Sequence, residues 1–241
     1  MSINCLACTQ NLANKNGSGA PTSINITSTS APGPFNPFYY LTATTSTKSS
    51  DGVIISCTCV ISNQTAPYTF CNGNYYMTSS CLTTQVSGGG DLYLAFNGNG
   101  SGNIFLSPYT YNSSGGYTGT VSTTVSGSAI TGEWMGIQIP YKLWVTTYNI
   151  FTNAAGGGGS WNSMFPKNYT LAGSNNGTTW TLIDSKTGYS ATSSTGINNF
   201  TAPTATQGFT YFRLIGSAIG AGSFLRMGVA LGLQGQYKFG L

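Results

Sequence analysis

The stretch YTLAGSNNGTTWTLID, residues 169–184, contains two runs of alternating side chains on either side of an Asn-Asn-Gly sequence at 175–177. Trp180 and Leu182 share one face of the second run, and threonines occupy the other face. Asn and Gly tolerate the positive φ angles of a tight turn, so alternation on both sides of them predicts a β-hairpin. The hairpin is expected to be a two-stranded piece of a larger sheet.

Short strand patterns recur along the chain from residue 51 onward, with glycine-containing turn signals between them. No segment shows a convincing 3.6-residue amphipathic period. Many short strands at such spacing are typical of a sandwich or barrel, so an all-β fold is expected. The candidate strands are 53–61, 79–86, 91–96, 134–139, 143–151, 168–174, 179–184, 209–216 and 224–235.

The N-terminal residues 1–50 are predicted to form an extended arm, and residues 51–241 the folded domain. The arm is rich in Ser, Thr and Asn, is broken by prolines and contains the stretch APGPFNPFYYL. A proline-stiffened, aromatic segment suits an arm laid across another surface. A floppy tail is the alternative, against which the aromatic residues argue.

The composition is nearly free of charge. Charged residues make up 5% of the 241 residues, whereas an ordinary soluble domain has roughly 25%. Hydrophobic residues make up 40%, which is unlike the composition of a disordered chain. An uncharged surface gives little repulsion between copies, so the chain is either a secreted or surface protein or a subunit that packs against neighbours.

Several partner classes are not expected. The eight Lys and Arg residues are scattered, so no nucleic-acid interface is predicted. No run of 18 apolar residues is present, so no membrane span is predicted. The N-terminus lacks the pattern of a conventional signal peptide. A surface-type composition without a secretion signal is typical of virion proteins, which assemble in the cytoplasm and later face the outside.

The residues that catalysis usually needs are scarce. The chain has no histidine, which excludes Ser-His-Asp triads and Cys-His dyads. Of the four carboxylates (Asp51, Asp91, Glu133 and Asp184), the last two stand at strand ends and are expected to be solvated. Glycoside hydrolysis needs two carboxylates about 5–10 Å apart, which the sequence does not indicate. A non-enzymatic protein without a cofactor is therefore predicted.

All the cysteines lie in the first third of the chain: Cys5, Cys8, Cys57, Cys59, Cys71 and Cys81. Disulfides are predicted, with Cys71 and Cys81 facing each other across a hairpin and Cys5 or Cys8 reaching the strand that carries Cys57 and Cys59. A zinc site and buried free thiols are the alternatives, although the spacing of the second cysteine pair is wrong for zinc.

Five segments together resemble the discoidin domain, also called the coagulation factor 5/8 C-terminal domain. They are GEWMGIQIP (132–140), VTTYNIFTN (145–153), FPKNYTLAGSNNGTTWTLID (165–184), YFRLIGSAIGAG (211–222) and LRMGVALGLQG (225–235). The residues that match the family pattern are Trp134, Gly173, Ser174, Gly177, Trp180, Arg213 and Gly235.

The resemblance implies a galactose-binding-like jelly-roll sandwich. It places Trp180 in the core and makes Arg213 a buried or half-buried residue with a structural role. Some members of the family bind Ca²⁺, which needs several oxygen ligands. Asn97 and Asn176 stand where the family pattern has carboxylates, so no metal is predicted here.

Ligands of the family bind at loops that project from one end of the sandwich. The most aromatic such loop here is FLSPYTYNSSGGYTG, residues 105–119. The residues expected to contact a sugar, by ring stacking or by amide hydrogen bonds, are Asn97, Tyr109, Tyr111, Asn112 and Tyr117. The alternative is that the tyrosines only pack over the mouth of the barrel.

The chain looks most similar to discoidin-type proteins encoded by large DNA viruses and some phages. The leading interpretation is therefore a structural virion protein: a minor capsid, penton-associated or surface-fibre component. Its partners would be other virion or capsid proteins in a homo-oligomer or repeated assembly, exposed at the particle surface. A carbohydrate-binding attachment module, in a virion or on another extracellular surface, is the alternative, and the two roles are compatible.

Overall fold

The computed structural model describes part of the chain. The described residues are 24–25, 41–48, 55–61, 76–81, 85–86, 95–96, 105–151, 161–191, 197–203, 207–223 and 225–238. They are mostly β-strand and contain no α-helix. The prediction of an all-β fold is confirmed.

The strands are numbered in chain order. They are β1 (Ile24–Asn25), β2 (Leu41–Lys48), β3 (Ile55–Ile61), β4 (Tyr76–Ser79), β5 (Gln85–Val86), β6 (Phe105–Leu106), β7 (Ser122–Val125), β8 (Ser128–Thr131), β9 (Glu133–Phe151), β10 (Pro166–Ser174), β11 (Thr181–Lys186), β12 (Ile197–Thr201), β13 (Phe209–Ile219) and β14 (Gly228–Lys238). A 3-10 helix spans Trp161–Met164.

The long strand β9 joins two layers of one curled sheet. Its first half lies between β13 and β4, with Gly136 opposite Arg213 on one side and Thr78 on the other. Its second half lies between β14 and β12, with Tyr148 opposite Leu233 and Phe200. The first layer therefore runs β4-β9-β13-β10-β11 and the second β12-β9-β14-β6-β5, which is a jelly-roll-like sandwich.

The main core lies between the two layers. On β13, Phe212 and Leu214 are fully buried whereas Arg213 is only partly buried, which is the period-2 alternation of a strand with one inward face. The inward residues of both layers, such as Phe212 in the first and Leu231 in the second, form one cluster. Each fully buried Leu or Phe contributes about 1.5–3 kcal/mol relative to exposure, so this cluster is what holds the layers together.

A smaller apolar cluster lies on the outer side of the first layer. It consists of Val125, Ala172, Trp180 and Ile215. The hairpin β7–β8 covers it, and Val125 forms a bridge with Trp180. Trp180 is buried as predicted, but in this outer cluster rather than in the main core.

Arg213 lies beside this cluster between two indole rings. Its guanidinium carbon lies 3.5 Å from the centre of the Trp134 ring and 4.1 Å from that of Trp180. Its Nη1 donates a hydrogen bond to Thr123 Oγ1 at 2.9 Å, whereas its Nε is buried without a hydrogen-bond partner. The predicted structural role of Arg213 thus corresponds to a stack of one cation between two aromatic rings.

The hairpin predicted at 169–184 is present, but its turn is longer than two residues. Strand β10 ends at Ser174 and β11 begins at Thr181. Ser174 Oγ accepts hydrogen bonds from the backbone of Asn176 and Gly177, and Asn176 Oδ1 accepts two more from the backbone N–H groups of Thr178 and Thr179. Side-chain acceptors therefore stabilise a wider loop where the sequence predicted a tight turn.

Other predicted strand bounds need correction. The segments 134–139 and 143–151 are parts of one continuous strand, β9. Residues 95–96, predicted as strand, are in a helical turn. The hairpin β7–β8 and strand β12 were not predicted, because their Ser, Thr and Asn residues give little hydrophobic alternation.

Much of the predicted arm lies outside the described residues. Within it, β1 pairs with β14, and β2 pairs with β3 across the predicted boundary at residue 50. The division of the chain at that residue stays a prediction.

The predicted disulfides also lie largely outside the described part of the chain. Cys5, Cys8 and Cys71 are not among the described residues, and Cys57 and Cys59 are described only as positions on β3. Cys81 is buried, at 6% exposure. The disulfide pairing therefore stays a prediction.

Among the described residues, no helix is long and apolar enough to cross a bilayer.

Candidate functional site

Several loops meet at one end of the sandwich, which we call the loop end. We define it by residues 105–119, 161–167, 187–191 and 219–223. The strands of the first layer bring these segments together: β10 begins where β13 ends, with Pro166 opposite Ile219, and β9 begins beside the same part of β13. The loop end is therefore fixed by sheet register.

A pocket of about 300 Å³ opens at the loop end. Its lining residues are Ser163, Phe165, Lys167, Tyr189, Ser190, Ala191, Gly220 and Ala221. Backbone hydrogen bonds hold its walls: Gly220 N donates to Phe165 O at 3.1 Å, and Tyr189 N donates to Lys167 O at 2.9 Å. The pocket thus joins three loops that are far apart in sequence.

Tyr189 supplies a partly exposed aromatic ring to the pocket. Its ring packs against Phe165 at 5.4 Å between centres and against Phe200 at 5.1 Å. Its hydroxyl donates to Asn198 Oδ1 at 3.1 Å. The orientation of this ring is therefore fixed before any ligand arrives, which lowers the entropy cost of stacking a ligand on it.

Asp184 lies behind Tyr189. The ring of Phe200 stacks on Tyr148 at 5.0 Å, and the Tyr148 hydroxyl donates to Asp184 Oδ2 at 2.6 Å. Lys186 forms a salt bridge with the same carboxylate at 2.7 Å. Burial, together with the hydrogen bond to Asp184, raises the pKa of Tyr148 far above its ordinary value. We call Asp184, Lys186, Tyr148 and Tyr169 the Asp184 cluster.

Glu133 lies beneath the 105–119 loop. Its carboxylate accepts hydrogen bonds from Ser80 Oγ, from Thr110 Oγ1 at 2.9 Å and from the Tyr117 hydroxyl at 3.2 Å. Burial, with a smaller contribution from the Glu133 carboxylate, raises the pKa of Tyr117 to about 12. We call Glu133, Ser80, Thr110, Tyr111 and Tyr117 the Glu133 cluster.

The expectation that these two carboxylates are solvated is wrong. Glu133 is 2% exposed and Asp184 is 5% exposed. A strand end is usually solvated, but here a loop covers Glu133, and Tyr148, from the second layer, covers Asp184. Buried carboxylates need hydrogen-bond donors, and both have them.

The predicted sugar-binding residues fall into different environments. Tyr109 is 66% exposed, and the Arg226 guanidinium lies 4.9 Å from the centre of its ring. Tyr111 is 2% exposed, and its hydroxyl donates to Gly216 O at 2.7 Å. Tyr117 is half-buried and packs against Tyr111 at 5.3 Å. Packing over the barrel mouth therefore describes Tyr111 and Tyr117, and only Tyr109 presents its ring to solvent.

Of the two asparagines of the predicted site, the structure describes only Asn112. Asn112 is exposed, but its Oδ1 accepts hydrogen bonds from Ser114 N at 3.0 Å and Gly116 N at 2.9 Å. The side-chain carbonyl of Asn112 thus stabilises its own loop and is already used by backbone N–H groups of that loop. Asn97 lies outside the described residues.

The predicted loop and the pocket share a wall. Ile219 N donates to Gly115 O at 2.8 Å, and Gly222 N donates to Ser113 O at 3.1 Å. Gly115 has a φ of 84°, and a Cβ there would lie 2.1 Å from Ile219 O, so no other residue permits this approach. The predicted loop therefore lies beside the pocket, but the sequence analysis missed the residues that line the pocket, which carry no motif of their own.

No protein-family model matches the chain, and no curated protein matches it. Solved structures that resemble it include carbohydrate-binding modules of family 32. The module from Streptococcus pneumoniae EndoD is 14% identical, with a TM-score of 0.45 over 66% of this chain and 95% of the other. A Clostridium perfringens module from a family 31 glycoside hydrolase is 15% identical, with a TM-score of 0.44 over 66% and 88%.

A third similar structure is the family 32 module of Clostridium perfringens NanJ, solved in complex with galactose. It is 13% identical, with a TM-score of 0.42 over 68% of this chain and 93% of the other.

Proposed function

We propose that the chain is a non-catalytic carbohydrate-binding module that holds a sugar in the pocket at the loop end. The observation that carries the proposal is the pocket itself, whose lining includes the ring of Tyr189, the hydroxyl group of Ser190 and the amine of Lys167. Sugars have apolar ring faces and polar edges, and an aromatic ring beside hydroxyl and amine donors matches both.

The size of the pocket favours a single sugar ring. Ligand pockets range from about 300 to 1,000 Å³, and this one, at about 300 Å³, is at the lower limit. Tyr109, the exposed ring of the predicted loop, is available for a second unit of a longer chain. The proposed ligand is therefore a terminal sugar of a glycan.

We propose that the chain binds the sugar without hydrolysing it, because both described carboxylates already accept hydrogen bonds from the protein's own groups. Neither Glu133 nor Asp184 lines the pocket, and each accepts hydrogen bonds from the protein's own groups. Glycoside hydrolysis requires two carboxylates at the scissile bond.

The test is a glycan array followed by calorimetry with Tyr189→Ala and Tyr189→Phe. The Phe variant keeps the ring and should bind like the unaltered protein, whereas the Ala variant should bind about 10-fold more weakly, since ring contacts contribute about 1 kcal/mol or more. Tyr211→Ala is the matched control, because Tyr211 is also half-buried but lies on the outer face of the first layer. Absence of binding on the array would contradict the proposal.

A second candidate function is the structural virion role. The observation that favours it is the 5% charge content, which leaves little electrostatic repulsion between neighbouring copies. We propose that copies of the chain assemble with one another or with other capsid proteins at a particle surface, where glycan binding would serve attachment.

This second role is tested by light scattering and by electron microscopy of purified particles. Repeated copies in a particle would support it, and a chain that stays monomeric at high concentration and is absent from particles would contradict it. Deletion of residues 1–50 should abolish assembly while the remaining domain folds. Loss of folding would show instead that the deleted strands belong to the sandwich.

A further inference from the structure

The acidic and basic side chains of the described residues have different locations. The two described carboxylates, Glu133 and Asp184, are both buried. The cations whose burial the structure describes lie nearer the surface: Lys142 and Lys167 are exposed, and Lys186, Arg213 and Arg226 are half-buried. The described surface therefore carries positive charges and no exposed carboxylate.

Lys167 is the charged residue of the pocket. It is exposed at the start of β10, and no carboxylate among the described residues lies within ion-pair distance of its amine. Lys186, by contrast, is neutralised by Asp184 at 2.7 Å. The pocket thus presents one uncompensated ammonium group.

We propose that the sugar bound in this pocket carries a carboxylate, as uronic acids and sialic acids do. This inference rests on the proposed function and adds the class of the ligand. The Lys167 ammonium donates a charge-assisted hydrogen bond to the carboxylate, the ring of the sugar packs on Tyr189, and Ser190 contacts the ring hydroxyls. A neutral sugar of the same shape leaves the ammonium without a partner.

Among the described residues, no carboxylate in the pocket lining repels such a ligand. Neither Glu133 nor Asp184 lines the pocket, both are buried, and the 105–119 loop donates hydrogen bonds to Glu133. The lysine is solvent-exposed, so its attraction for an anion is screened by salt. Binding of the acidic sugar should therefore weaken as salt is raised, whereas binding of a neutral sugar should not.

The first experiment is calorimetry with matched pairs of ligands: methyl glucuronide against methyl glucoside, methyl galacturonide against methyl galactoside, and sialyllactose against lactose. We expect the acid of at least one pair to bind about 10-fold more tightly at low salt, which corresponds to one charge-assisted contact. The pairs separate uronic acids from sialic acids as the source of the carboxylate.

The matched variants are Lys167→Gln and Lys142→Gln, which remove the same charge. Lys142 is exposed in the middle of β9, opposite Lys238 of β14, and does not line the pocket. Lys167→Gln should lose the preference for the acid over the neutral sugar. Lys142→Gln should behave like the unaltered protein.

If Lys167→Gln does not fold, the role of the charge can be tested by changing the ligand instead of the protein. The methyl ester of the preferred acid has the same ring but no charge, and it should bind like the neutral sugar. Equal binding of acid, ester and neutral sugar would overturn the inference while leaving the proposed function standing. Failure of every sugar to bind would instead contradict the proposed function itself.

Discussion

The Asp184 cluster and the Glu133 cluster each bury one carboxylate behind a wall of the pocket, but they do so by different means. Asp184 is paired with Lys186, two residues further along the same strand, and accepts a hydrogen bond from Tyr148. Glu133 has no cation among its described partners and is held by three hydroxyl groups, one from Ser80 and two from the 105–119 loop. A chain with few charges can thus stabilise a buried carboxylate either by a local ion pair or by distant hydroxyl groups.

The two arrangements support different parts of the site. The Asp184 cluster fixes Phe200 and, through it, the ring of Tyr189. The Glu133 cluster ties the 105–119 loop to the first layer, and that loop supports the wall at 219–222. Removal of the two carboxylates should therefore have different costs and different consequences.

The largest effect is expected for Asp184→Ala. It should lower the free energy of unfolding by about 3 kcal/mol, the lower end of the cost of breaking a buried pair, because the 36%-exposed Lys186 can turn toward water. Urea unfolding followed by tryptophan fluorescence measures it. Asp184→Asn keeps one acceptor for Tyr148 and should cost less, and equal stability of both variants with the unaltered protein would contradict the ion-pair account.

A smaller loss is expected for Glu133→Ala. It should cost about 2 kcal/mol, because hydrogen bonds to a charged group are lost but no ion pair is broken. The same unfolding experiment measures the loss, and proteolysis should cut the 105–119 loop sooner, since Thr110 and Tyr117 no longer anchor it. The stability of Glu133→Gln should lie between that of Glu133→Ala and that of the unaltered protein. A greater loss for Glu133→Ala than for Asp184→Ala would contradict the comparison.

Arg213 is the opposite case: it is a half-buried cation with no carboxylate among its described partners. Arg213→Lys should cost about 1 kcal/mol, because a compact ammonium cannot stack flat between Trp134 and Trp180. Thermal unfolding measures it. Arg226→Lys is the control, since Arg226 contacts one exposed ring, and its melting temperature should stay within error of the unaltered protein. Equal losses in the two variants would contradict the stacking account.

The last prediction concerns the dependence of stability on pH above pH 10. The pKa of Tyr117 is raised to about 12 in the folded chain, while an unfolded tyrosine ionises near 10. Its contribution to stability is therefore complete below pH 10 and is lost as the pH rises toward 12, because the unfolded chain loses the proton first. Tyr117→Phe should flatten the fall in stability between these values. Alkaline unfolding curves that superimpose with and without the substitution would contradict this assignment.

The hairpin at 169–184 could be predicted because its signals are local. Alternation and Asn-Gly chemistry act within a few residues, and β10 and β11 lie close to the predicted bounds. The wider turn could not be predicted, since it depends on which side-chain oxygen reaches which backbone N–H group.

The predicted sugar-binding loop illustrates the limit for the site. The loop lies beside the pocket, but two of its three tyrosines are buried or half-buried beside Glu133. Aromatic residues serve packing and stacking equally well, so sequence alone cannot assign them. No sequence pattern marked Tyr189 or Lys167, because the pocket is formed by segments that are far apart in the sequence.

The sequence by itself determined the all-β class and the position of the central hairpin, because period-2 alternation and turn chemistry are properties of adjacent residues. Only the tertiary structure decided that Glu133 and Asp184 are buried and that Lys167 is left as the uncompensated charge of the pocket. These outcomes depend on strand register, which brings Ser80, Thr110 and Tyr117 to one carboxylate from distant parts of the chain. Burial and charge pairing are set by that convergence, and no local pattern encodes it.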